Sequence, residues 1–249
     1  MSVKAGIKRQ VKQLLWTLHL DITRNMKYDR YAYKVFQSVL KNDSVCVDIG
    51  CHKGEILEWM LKFSPQGEHF AIEPIPYLFQ QLQAKFTQSN VHLFNLALSD
   101  KAGRLNFTVV KNAPAYSGIK QRKYAVEHPE LEIIEVDVHR LDELIPSDKK
   151  VRLIKLDVEG AELDVLKGAT QLLLSSRPYV LFEFGLGSAE FYQASPEEMF
   201  ALLSESRMAV FALNDWFSSR KALSQSDFVQ HFNQNSEYYF LAVPKEEAK

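Results

Sequence analysis

A chain of 249 residues, 46% hydrophobic and 24% charged, has room for one large α/β domain or two small ones. A formal net charge of −1 lacks the basic excess of a nucleic-acid-binding surface, and no apolar run reaches the ~18 residues of a membrane span. Two cysteines, Cys46 and Cys51, are too few for a zinc site and sit in strand and turn positions that rarely suit a disulfide, which points to a reducing, cytoplasmic compartment.

Residues 1–24 form a basic amphipathic segment. Val3, Ile7, Val11, Leu14, Leu15 and Leu18 recur at helical spacing, and Lys4, Lys8, Arg9, Lys12 and Arg24 stand against one Asp21. Lys8, Arg9, Lys12 and Gln13 interrupt the apolar positions, so the segment does not read as a signal peptide. It suits packing on the main domain, docking on a second subunit in a homodimer, or peripheral contact with a membrane surface. A second helix is expected over 27–43, completing an N-terminal helical extension, 1–43, ahead of an α/β domain, 44–249.

Strands and helices then alternate. Strands are expected at 44–49, 68–73, 91–98, 104–110, 131–138, 151–157, 179–184, 208–213 and 238–243. Helices are expected at 55–63, 76–87, 140–145, 161–174 and 196–206, with Pro76 and Pro196 at first helical positions. The pattern is a doubly wound, Rossmann-like, mostly parallel sheet. Its last two strands lack a helical crossover between them, so a hairpin-like ending with one antiparallel strand is expected. The stretch 111–130 has no apolar periodicity, contains Pro114, Gly118 and Pro129, and is basic through Lys111, Lys120, Arg122 and Lys123. Such a connection suits a lid, covering an anionic substrate group, or a solvated loop.

Ligands bind outside the carboxyl ends of strands in such sheets. The first strand ends in Asp48, then Gly50-Cys51-His52-Lys53-Gly54, a glycine turn opening a helix. The spacing Asp-X-Gly-X-X-X-Gly is neither a dinucleotide fingerprint nor a phosphate loop, and it favours a ligand such as S-adenosylmethionine. His52 reads as solvated or as a contact to the ligand. Glu73, 25 residues after Asp48 and followed by Pro74, is placed for ribose hydroxyls. Ala97 and Leu98 can flank a flat adenine. At a further edge, Lys155, Asp157 and Glu159 alternate with Ile154, Leu156 and Val158, followed by Gly160 and Glu162. A Lys among carboxylates can hold one of them ionised as a general base, or itself be lowered in pKa. Glu183, between Phe182 and Phe184, is a third carboxylate at that edge. Asn214-Asp215-Trp216 reads as a turn or a pocket wall. No metal-ligating spacing is present.

Val47-Asp48-Ile49-Gly50 with Gly54, Glu73-Pro74, Asn95 to Ser99, and Ile154 to Glu162 with Leu166-Lys167-Gly168 together resemble the FkbM-type family of S-adenosylmethionine-dependent methyltransferases. The resemblance covers about residues 44–185. It implies a class I methyltransferase that methylates a hydroxyl oxygen on a sugar, glycan or secondary metabolite. It also implies Asp48, Gly50 and Glu73 at the cofactor, and Asp157, Glu159 and Glu183 near the transfer centre. Cys51-His52 stands where the family commonly has Ala-Asn. A methyltransferase-like binding protein without catalysis and a nicotinamide-dependent oxidoreductase are the alternatives, and the latter lacks its Gly-X-Gly-X-X-Gly. The acceptor and the position methylated are not written in these motifs.

Overall fold

The computed structural model describes residues 24–122, 124 and 126–248. The expectations for segment 1–24 therefore lie outside the described residues, Arg24 excepted. The strands are β1 (Val45–Ile49), β2 (His69–Ile72), β3 (Val91–Phe94), β4 (Ala97–Leu98), β5 (Gly103–Val110), β6 (Leu131–His139), β7 (Val151–Leu156), β8 (Tyr179–Glu183), β9 (Met208–Ala212) and β10 (Tyr239–Pro244). The helices are α1 (Arg24–Val39), α2 (Glu55–Phe63), α3 (Pro76–Lys85), α4 (Leu141–Leu144), α5 (Glu162–Lys167), α6 (Thr170–Ser176), α7 (Pro196–Glu205), α8 (Leu213–Ser218) and α9 (Gln225–Gln234). None of the described helices is long and apolar enough to cross a membrane.

Seven strands make the main sheet, in the order β3-β2-β1-β7-β8-β10-β9. All neighbours are parallel except β10, which runs antiparallel to both β8 and β9. The chain winds outward from β1 through β2 to β3, then returns to the other side of β1 as β7. That reversal between β1 and β7 is where such sheets open a crevice for ligands.

Strand alternation sorts the core into two layers. Val47, Ile49, Ile154, Leu156, Val180, Phe182 and Phe240 face one side, where α4 to α7 and α9 pack. Cys46, Ala71, Leu153, Leu181 and Leu241 face the other, covered by α1, α2 and α8. In α1, Tyr28, Ala32, Val35, Phe36 and Val39 follow the helical period and are buried. Asp48, Lys155, Glu183 and Tyr239 continue the α1 side of β1, β7, β8 and β10 towards the rim, in register Asp48↔Lys155 and Glu183↔Tyr239.

Four expectations are corrected. The strand expected over 91–98 is split: β3 belongs to the main sheet, while β4 joins a second sheet ordered β4-β6-β5. That small sheet packs Phe107, Val109, Val136 and Val138 against Ile75 and Leu78. The helix expected over 161–174 breaks at Gly168, where an added Cβ would lie 2.1 Å from the Ser99 carbonyl oxygen. Asp142 then caps the second piece by accepting from the amides of Gln171 (3.1 Å) and Leu172 (2.9 Å). The antiparallel final strand is present, with β10 paired antiparallel to both β9 and β8, but the expected lack of helices between the last two strands is corrected: α8 and α9 connect them. Asn214-Asp215-Trp216 lies in α8, and the Trp216 ring is buried 5.1 Å from Phe211.

Gly54 also has a role the motif did not show. Its φ is +72°, and a Cβ there would stand 2.4 Å from the Phe86 ring and 2.9 Å from Leu82. The turn is therefore shaped by packing under α3. Gly54→Ala is expected to cost about 1–3 kcal/mol, from overpacking and left-handed backbone strain. A urea midpoint unchanged from wild type would refute this.

Candidate active site

Two turns meet at the switch point. Gly50 leaves β1 with φ +75°, and a Cβ there would lie 1.9 Å from the Asp157 carbonyl oxygen. Only glycine lets the turn after β1 press on the turn after β7. His52, also left-handed at φ +49°, donates its amide to Glu73 Oε2 at 2.8 Å, and the Ile75 amide donates to Oε1 at 2.9 Å. Glu73 is 4% exposed, and burial pushes its carboxyl up to about 7 against the pull of those amides.

These residues edge a cleft of about 200 Å³. Gly50, His52, Glu73 and Pro74 form its polar end, and Ile75, Leu96, Ala97, Leu98 and Phe107 its apolar wall. Asp157 and Glu159 close it. A second cleft of about 480 Å³ begins at the same two carboxylates and continues past Glu183, Arg122, Tyr116 and Tyr238. Asp157 and Glu159 thus stand at the junction of both.

The turn that presents them is held from behind. Glu162, 2% exposed, accepts from the amides of Val158 and Gly160 through Oε1, each at 3.1 Å. Burial pushes its carboxyl up to about 7. Glu159 sits at φ +61°. An added Cβ on Gly160 would meet the Tyr192 ring at 2.6 Å, so Gly160 makes room for Tyr192.

Lys155 Nζ donates to Asp157 Oδ2 at 3.1 Å. The lysine is 3% exposed and lies beneath the clefts, not in their lining. Burial pulls its ammonium down, but Asp157, Tyr239, Asp48 and Glu183 outweigh burial and raise it. The lowered lysine considered from sequence is therefore reversed. Asp48, 1% exposed, is pushed up to about 7 by burial, with Lys155 opposing. Burial and Asp157 push Glu183 up to about 8. Burial also pushes Glu159 up, while Arg122 pulls it down.

The sequence-predicted site residues thus separate. Gly50, His52, Glu73, Pro74, Ala97, Leu98, Asp157, Glu159 and Glu183 line the clefts. Asp48, Cys51, Gly54 and Lys155 line neither. Cys46 and Cys51 are free, buried thiols. His52 is half-buried rather than solvated, and its Nε2 has no hydrogen-bond partner among the described residues.

The connection over 111–122 lines both clefts. Pro114, Ser117 and Ile119 face the first, Tyr116 and Arg122 the second, and Ala115 both. The Arg122 guanidinium pairs with Glu159, donates to the Gly187 carbonyl at 3.1 Å, and lies 5.0 Å from the Tyr116 ring centre. Lys111 reaches Glu132 on the small sheet at 3.6 Å. Among the described residues lining the second cleft, the basic side chain, Arg122, is thus already matched by a carboxylate. Phe107, Ile119, Tyr116 and the Arg122 pairing carried no recognisable motif.

Comparison with known proteins agrees with this architecture. The model of the methyltransferase FkbM domain matches residues 48–209. Methyltransferase 1 of Beauveria bassiana is 33% identical over 146 residues, 51% of this chain and 59% of that protein. The 2-O-methyltransferase NoeI of Sinorhizobium fredii is 28% identical over 168 residues, 62% of this chain and 68% of that protein. The solved methyltransferase FkbM of Methylobacillus flagellatus superposes with a TM-score of 0.53 at 18% identity, covering 91% of this chain and 52% of that one. This chain spans about three fifths of the Beauveria protein and half of the solved one. With its domain matched over most of the sheet and the clefts at the switch point, the chain belongs to the FkbM methyltransferase domain family.

Proposed function

We propose that this protein is an S-adenosylmethionine-dependent methyltransferase that methylates a hydroxyl oxygen. The observation that carries the reading is the junction of two clefts at Asp157 and Glu159. One cleft suits the cofactor and the other an acceptor. NoeI, a relative of this chain, is a 2-O-methyltransferase by name, which favours oxygen as the acceptor atom.

The first cleft fits the cofactor. Each Glu73 oxygen accepts one backbone amide, leaving a lone pair on each for a ribose diol. His52 stands half-buried at the same wall. Ile75, Ala97, Leu98 and Phe107 give a flat base two apolar surfaces. When bound, the cofactor supplies an electrophilic methyl group on a sulfonium.

The remaining chemistry belongs to the chain. An alcohol is a weak nucleophile, so a carboxylate must take its proton as attack proceeds. Asp157 is the base, oriented by Lys155, and Glu159 is tied to Arg122. Arg122 and Tyr116 line the second cleft beside the junction.

Calorimetry of S-adenosylmethionine and S-adenosylhomocysteine, with NAD as control, tests the reading. Micromolar binding of both adenosyl compounds and none of NAD is expected. Binding of NAD alone would restore the oxidoreductase alternative, and binding of neither adenosyl compound would refute the cofactor assignment.

A further inference from the structure

The turn after β7 presents its carboxylates from a backbone that does not hold itself. Glu159 is left-handed at φ +61°, a region that residues other than glycine rarely occupy, and Gly160 follows at φ +114°. Such a backbone persists only where its surroundings fix it. Here one oxygen does so. Glu162 Oε1 accepts from the Val158 amide and from the Gly160 amide, each at 3.1 Å, and so brackets Glu159 on both sides. Glu162 opens α5, whose Leu163, Val165 and Leu166 are buried, so this clamp is anchored in the core. Stability does not account for a carboxyl at this position. Glu162 is 2% exposed and its Oε2 has no hydrogen-bond partner among the described residues, an arrangement that costs the fold free energy.

The clamped turn reaches the 111–122 connection by two routes. Glu159 pairs with Arg122, which lines the second cleft. Gly160 leaves room for the Tyr192 ring, and the Tyr192 hydroxyl accepts from the Lys120 amide at 2.9 Å. The same connection lines the first cleft through Pro114, Ser117 and Ile119. Turning Glu159 back to an ordinary φ would carry its side chain away from Arg122 and shift Gly160 against Tyr192. We propose that Glu162 is a positioning residue: by accepting from the Val158 and Gly160 amides it sets Glu159 against Arg122 and Gly160 against Tyr192, and so holds the 111–122 connection along both clefts. Glu162 itself lines neither. The consequence for methyl transfer rests on the methyltransferase reading of the site: Asp157 begins the same turn, so the clamp also sets the base which that reading assigns.

Two variants separate the accepting oxygen from the space it fills. Glu162→Gln keeps an oxygen for both amides, whereas Glu162→Met keeps the volume and offers only a weak acceptor. The readout is the Nε–H resonance of Arg122 in heteronuclear NMR, assigned by its loss in Arg122→Lys. That nitrogen is buried and so protected from exchange with water. Wild type and Glu162→Gln should both show it exchanging slowly. In Glu162→Met the resonance and the Lys120 amide should exchange at least about tenfold faster, while urea still unfolds the protein in one cooperative transition. A Glu162 that only stabilised the fold would lower the urea midpoint of Glu162→Met without freeing Arg122, and that result overturns the proposal. A loss in Glu162→Gln as large as in Glu162→Met overturns it too, because the accepting oxygen is then not what holds the turn. If Glu162→Met does not fold, wild type decides: protection of the Val158 and Gly160 amides by about tenfold or more supports the clamp, and exchange at the rate of an open turn overturns it. Calorimetry of S-adenosylhomocysteine with wild type stands apart. Absence of binding overturns the methyltransferase reading, while the Arg122 resonance still decides the clamp.

Discussion

Asp157→Asn lowers turnover by about 10²- to 10⁴-fold and leaves S-adenosylhomocysteine affinity within about threefold. Two observations set this expectation. Asp157 lines both clefts, so it is among the few carboxylates that a bound acceptor and the methyl donor can approach together. Its Oδ2 is held 3.1 Å from Lys155 Nζ, which fixes the carboxyl plane. An amide oxygen keeps that contact and the shape of the side chain, but it cannot accept a proton from an alcohol at neutral pH. The loss therefore belongs to proton transfer and not to the platform. Glu159→Gln separates the other candidate, because Glu159 is occupied by Arg122. It is expected to raise the acceptor KM more than it lowers kcat, through loosening of the 111–122 connection. Turnover retained in Asp157→Asn but lost in Glu159→Gln would exchange their roles.

The first cleft is legible in the sequence because its signals are local. Gly50, Glu73 and Asp157 each end a buried strand, and a buried strand is visible as a run of apolar residues bounded by turn chemistry. Even there the neighbours that require the glycines lie far along the chain. Gly54 meets Phe86 and Gly160 meets Tyr192, and neither contact leaves a mark in a motif of a few residues. The small sheet was hidden for a related reason: Ala97-Leu98 is too short to show a period apart from Val91 to Phe94 just before it. The antiparallel pairing of β9 and β10 follows the apolar pattern of both strands, whereas α9 between them is signalled only by its capping box at Ser224 and Asp227 in a polar stretch. The outer side of the second cleft is not legible in the sequence, since the Tyr238–Asn25 and Tyr28–Glu237 hydrogen bonds join segments that only the fold brings together.

Removal of the buried cation should have the largest effect on stability, and that effect should depend on pH. Lys155 is 3% exposed, with Asp157 at 3.1 Å and the Tyr239 ring centre at 5.4 Å from its ammonium. Asp48 is its register neighbour on β1. Lys155→Met keeps most of the side-chain volume and removes the charge that offsets this carboxylate group. Breaking a buried pair in this way costs about 3–5 kcal/mol when the partners are ionised. Not all of them are ionised at every pH. Asp48, pushed up by burial to about 7, and Glu183, up to about 8, bind protons in the folded chain that they release on unfolding above their ordinary range. A raised carboxyl contributes its stability fully below the unfolded pKa and loses it as pH rises through the folded pKa. Wild-type stability should therefore fall between pH 6 and 8.5 from these two groups. In Lys155→Met both carboxyls lose an opposing positive charge, rise further, and make that fall steeper. Urea midpoints measured at pH 6 and pH 8.5 should show a gap between wild type and Lys155→Met that widens at the higher pH. An equal gap at both values would mean that the lysine contributes through packing against Tyr239 rather than as the counter-charge of the rim, and orientation of Asp157 by a buried cation would then lose its basis.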